Sequence, residues 1–100
     1  MITGAMSGYE LVRGQFDPCG DHAGRWETSL LMYLDPGMQD PSTLPSDRSV
    51  NPIGAGNNGI QDSNVEFGRA AAEAIVAAVG KRVAEFLEDP EPYQGHGSPM

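Results

Sequence analysis

The sequence predicts a piece of an α/β body rather than a self-sufficient domain, and three observations lead there. Two stretches, about residues 23–34 and 64–88, carry the three-to-four apolar spacing of helices. A third, Gly8 to Phe16, mixes Tyr9, Leu11, Val12 and Phe16 with Glu10 and Arg13 as a short strand would. The second helix has an alanine-rich face that the first helix and the intervening loop are too small to cover on both sides. Ordering a chain costs about 1.5 kcal/mol per residue, which so small a core does not offset. The expectation is a chain that completes a larger α/β body whose parallel strands lie in a preceding segment, with Met1 an internal start.

The elements follow in order. Met1 to Ser7 has no clear pattern, and Gly14 limits the strand expected over 8–16. Asp17-Pro18-Cys19-Gly20 reads as a turn. Asp21 is placed to cap a helix beginning near Ala23, along which Trp26, Leu30, Tyr33 and Leu34 share a face; Asp35-Pro36-Gly37 ends it. Residues 37–62 hold Pro41, Pro45 and Pro52 among Ser, Asn and Gly, and loops this long usually cover a site or meet another subunit. Within them, residues 51–60 are glycine-rich but lack the lysine of a phosphate-binding loop.

Ser63-Asn64-Val65-Glu66 reads as a capping box. Beyond it Phe67, Ala71, Ala74, Ile75, Ala78, Val79, Val83, Phe86 and Leu87 make one apolar face, with Arg69, Glu73, Lys81, Arg82 and Glu85 opposite. The domain reading is residues 1–88 as one incomplete unit and 89–100 as a disordered tail, since the last stretch has three prolines and no apolar period.

Composition narrows the function classes. A net charge of −8, with 14 acidic and 6 dispersed basic residues, argues against a nucleic-acid surface. The single cysteine, Cys19, allows no internal disulfide and no cysteine-rich zinc site. No run reaches the roughly 20 apolar residues of a membrane span, and the first residues lack a secretory pattern, so a cytoplasmic location is expected.

The chemistry concentrates at residues 20–36. His22 stands at a helix start beside the small Ala23 and Gly24, which leaves room for a ligand next to the imidazole. Glu27 can point back to orient the ring or to take free amides of the first turn. The alternative is a capping or surface histidine. Cys19 is either a nucleophile near His22 or an inert small hydrophobe, and His96 lacks a second ligand at useful spacing.

The string His22-Ala23-Gly24-x-x-Glu27-Thr28-Ser29-Leu30-Leu31-Met32, ending in Leu34-Asp35-Pro36, resembles the H-[AG]-G-x-x-E-T-S-L-M-L segment of the creatininase family of metal-dependent amidohydrolases. Glu66-Phe67-Gly68 is similar to the E-x-G ahead of that family's terminal helix. The resemblance implies the C-terminal part of a three-layer α/β/α fold. It also implies hydrolysis of a C–N bond in a small cyclic or linear amide, with His22 in proton transfer, Glu27 assisting, and Asp21 and Gly24 at the substrate.

Zn²⁺ or Mn²⁺ and homo-oligomers are the implied cofactor and assembly. The family's metal-binding E-x-H-G and H-x-E segments do not occur in this sequence, so no metal ligand is assigned and the isolated chain is expected to be inactive. Pro18 and Cys19 stand where creatinine-cleaving members carry a bulky aromatic, which points away from creatinine itself. The alternative function is a non-catalytic chain that docks on, and completes, a separately encoded N-terminal half.

Overall fold

The computed structural model describes residues 4–16, 22–50, 52–54 and 59–95. Every regular element among them is helical: α1 (Gly8–Val12), α2 (Arg25–Leu34) and α3 (Val65–Glu88), joined by short 3-10 turns at Pro36–Met38, Pro41–Thr43, Ile60–Asp62 and Glu91–Tyr93. No strand or sheet is present among the described residues, which overturns the α/β expectation and with it the three-layer α/β/α arrangement that the resemblance implied.

The segment read as a strand shows why. In a strand Tyr9 and Leu11 would share one face and Val12 would turn away. The apolar residues also fit one turn of helix over Gly8–Val12, in which Val12 is buried with Tyr9 and Leu11 packed beside it; Phe16, in the bend beyond α1, meets the same core. The pattern serves both periods, and packing against a tryptophan selects the helical one.

That tryptophan is the centre of the fold. Trp26 is 6% exposed, and with Val12 and Ala71 it forms a buried cluster ringed by Tyr9, Leu11, Phe16, Leu30, Phe67 and Ile75. Tyr9 and Phe16 each meet the indole edge-on at 5.3 Å, and Phe67 does so at 6.1 Å. Such T-shaped pairs add about 0.5–1.5 kcal/mol each beyond area burial. The Arg25 guanidinium lies 4.1 Å from the Phe67 ring centroid and carries the cluster outward as a cation–π contact.

Helices α2 and α3 cross where neither has bulk. Gly68 of α3 lies against Ser29 of α2, and both are buried, as is Ala71 beside Val12 and Trp26. A Cβ built on Gly68 would lie 2.5 Å from the Ser29 carbonyl carbon and closer still to its oxygen, so the backbones touch directly. The Ser29 hydroxyl accepts the Asn64 N–H at 3.1 Å, tying the start of α3 to the middle of α2. Asn64, not Ser63, is the N-cap: its Oδ1 accepts the Phe67 N–H at 2.8 Å, while the Ser63 hydroxyl is buried without a partner among the described residues.

This crossing fixes the rotation of α3. With Gly68 and Ala71 inward, Ile75 and Ala78 follow on the packed side and Arg82 and Glu85, 2.9 Å apart, are half-buried beside them. Val83 and Leu87, expected in the core, are 44% and 79% exposed. Past α3, the rings of Phe86 and Tyr93 lie with centroids 4.3 Å apart; of the stretch read as a tail, residues 96–100 lie outside the described residues.

The long connection is stitched locally. Asp40 takes the Ser42 amide and hydroxyl, Asp47 does the same with Ser49, and Arg48 donates to Asp62 across fourteen residues. The Arg48 hydrogen bond, with the charges of Arg48 and Arg25, holds the Asp62 carboxyl below its usual range. Because that pKa is depressed, the contact is present above the ordinary Asp value and is lost as pH falls through the lowered one. Acidification is expected to release Arg48 before α3 melts; a carboxyl titration followed by NMR, with the Arg48 side-chain resonances, reads the order of events.

Candidate functional site

The segment singled out by sequence is a turn leading into α2, and most of its polar atoms serve the turn itself. Ala23 has a φ of 53°, the left-handed region that costs an L-residue about 1–2 kcal/mol. Two side chains from the first turn of α2 hold it there. Glu27 Oε2 accepts the Ala23 N–H at 2.8 Å, and the Thr28 hydroxyl donates to the Ala23 carbonyl at 3.0 Å. Gly24 is the N-cap and is buried, and it supplies no side-chain cap; the Glu27 carboxylate reaches past it to the amide of Ala23. Asp21, expected as cap and substrate residue, lies outside the described residues, as do Asp17, Cys19 and His96.

His22 precedes this clamp and is exposed, and its ring makes no hydrogen bond to a described residue. Of the four predicted site residues, the structure therefore places His22, Gly24 and Glu27 within one turn, with Glu27 acting on the backbone next to His22 rather than on the imidazole. Glu27 also borders an open cleft of about 440 Å³ floored by Tyr9, Trp26, Leu30 and Ile75, a size suited to a small molecule. Thr28 and Ser29, which the sequence offered only as motif letters, turn out to be structural hydroxyls; their roles depend on where Ala23 and Asn64 fold, which no spacing shows.

No family model matches the chain, and no curated protein or solved structure does either.

The creatininase resemblance implies Zn²⁺ or Mn²⁺, which need three or more converging donors. Among the described residues no three His, Cys, Asp or Glu side chains converge, and one oxygen of Glu27 is already committed to Ala23. The described residues do not fit a metal site, and no step through a metal follows from them. Among them, too, no helix is long and apolar enough to cross a membrane.

The clamp on Ala23 has a measurable signature. Ala23→Gly is expected to raise stability by about 1 kcal/mol, because glycine enters the left-handed region without the Cβ penalty. For a domain of this size that corresponds to a melting temperature about 4–8 °C higher. An unchanged or lower value in a thermal melt would show that the turn is not strained as described.

Proposed function

We propose that this chain supplies the proton-transfer histidine of a small-amide hydrolase, with His22 in that role and a second polypeptide providing the activated nucleophile. The observation that supports the reading is the unequal use of the H-A-G-x-x-E-T-S segment. Glu27, Thr28 and Ser29 commit their polar groups to Ala23 and Asn64, whereas the imidazole at the head of the segment is exposed and makes no bond to a described residue.

In the reaction, a water-derived oxygen adds to the amide carbonyl and His22 donates its proton to the nitrogen as the C–N bond breaks. Glu27 is a positioning residue, acting through the Ala23 backbone.

Complementation tests this. The chain is combined with the N-terminal half of a creatininase-type amidohydrolase cut ahead of its own H-[AG]-G segment, and amine release is followed over a panel of linear and cyclic amides. Hydrolysis is expected with the native chain and about 10²–10⁴-fold less with His22→Ala. Equal rates from the two chains, or no hydrolysis from either, would contradict the assignment.

A second reading, a docking piece without chemistry of its own, is favoured by the exposure of Val76, Val83 and Leu87 on α3. It predicts that association survives His22→Ala and that no amide is hydrolysed.

A further inference from the structure

The cleft that Glu27 borders, where α1, α2 and α3 meet, has a lining suited to one class of ion. Tyr9 and Trp26 line it with ring centroids 5.3 Å apart and planes inclined at 74°, so the two rings form a corner rather than a flat wall. Leu30 and Ile75 continue the apolar surface. Glu27 is the one charged side chain among the described residues of the lining. Its Oε2 is committed to the Ala23 N–H at 2.8 Å, while its Oε1 takes no hydrogen bond from a described residue.

No cation of the chain answers that carboxylate. None of the six lysines and arginines lines the cleft. Arg13, Arg48, Arg69 and Arg82 pair with Glu10, Asp62, Glu73 and Glu85, and the Arg25 guanidinium lies over Phe67. Lys81 lines a separate hollow beside Leu11 and Gln15. The negative charge of Glu27 and the electron-rich rings of Tyr9 and Trp26 therefore act together on whatever enters. An anion is repelled, and a neutral guest leaves Oε1 unused. An organic cation uses the rings, the apolar wall and the carboxylate at once, and the net charge of −8 favours its approach.

We infer that this cleft is a binding site for a small organic ammonium ion, with Tyr9 and Trp26 against its apolar and cationic groups and Glu27 as its counter-ion. Binding here involves neither His22 nor the breaking of a bond, so it is tested apart from the hydrolase reading.

The probe is choline, titrated into the full chain and followed by NMR on the indole N–H of Trp26, the one tryptophan of the sequence, and on the Tyr9 ring. Saturable shifts of both are expected. The uncharged isostere dimethylbutanol, in which carbon replaces the nitrogen of choline, is expected to bind the native chain at least about tenfold more weakly. Glu27→Gln keeps an oxygen that can accept from Ala23 but loses the charge, and is expected to bind choline at least about fivefold more weakly. A helical circular dichroism signal equal to that of the native chain checks the variant's fold, and the comparison of choline with its isostere needs no variant. Absence of saturable shifts, equal binding of the isostere, or undiminished binding by a folded Glu27→Gln would overturn the inference. Tighter binding of a trimethyllysine peptide than of choline would overturn the assignment to a free small molecule.

Discussion

Gly68→Ala is expected to destabilise the protein by about 1–3 kcal/mol, the cost of forcing extra volume into a closed contact. Helix propensity alone argues the opposite, because alanine is better than glycine in a helix interior by about 1 kcal/mol. The contact decides the sign. The new methyl would fall against the Ser29 carbonyl and within 3.1 Å of the Leu30 nitrogen, and backbone atoms cannot rotate aside as a side chain can. Relief requires α2 and α3 to separate, which would also stretch the Asn64 to Ser29 hydrogen bond and loosen Phe67 from Trp26. A melting temperature at least about 4 °C below that of the native chain is the expected readout. An increase would mean that the helices do not cross backbone to backbone at this point.

The second large effect is expected at the core. Truncating Trp26 to alanine removes the ring that Tyr9, Phe16 and Phe67 meet edge-on, and large-to-small changes of an aromatic core residue cost about 3–5 kcal/mol. Small domains have only about 5–15 kcal/mol in total. Among the described residues the buried hydrophobic side chains are Val12, Trp26 and Ala71, and Trp26 is the largest of them. Trp26→Ala is therefore expected to abolish cooperative thermal unfolding by circular dichroism, while Trp26→Phe keeps a transition at lower temperature. A sharp transition in the alanine variant near that of the native chain would show that the aromatic cluster does not organise the fold.

The existence of α2 and α3 and the end of α2 were legible from apolar spacing and from Asp35-Pro36, but α2 begins at Arg25 behind Gly24, which supplies no side-chain cap, not near Ala23 as expected. Finer features were not. Ser63 and Asn64 are both good caps, and only the fold shows that Asn64 takes the Phe67 amide while its own amide goes to Ser29. Val83 and Leu87 look like core by composition, but the closest approach at Gly68 sets the rotation of α3 and leaves them outside. The strand expected over 8–16 failed because Tyr9 and Val12 satisfy a helical period as well, and the chain bends after Val12 to bring Phe16 onto Trp26. The α/β expectation failed with it, since it leaned on a sheet of which no strand lies among the described residues.

At the candidate site, His22 and Glu27 were visible as chemistry-bearing letters, but that Glu27 holds Ala23 in a left-handed turn was not. The same finding narrows the roles. One oxygen of the Glu27 carboxylate is committed to the Ala23 amide, so any effect of that oxygen on His22 passes through the backbone between them.

The measurement that reaches furthest into this account is the thermal melt of His22→Ala beside the native chain. If His22 is held out for function and the turn is kept by Glu27 and Thr28, the substitution is a surface change. It should leave stability within about 0.5 kcal/mol, a shift of no more than about 2–4 °C. A much larger fall would mean that His22 is itself part of the fold, and the reading of this histidine as the reactive group would go with it.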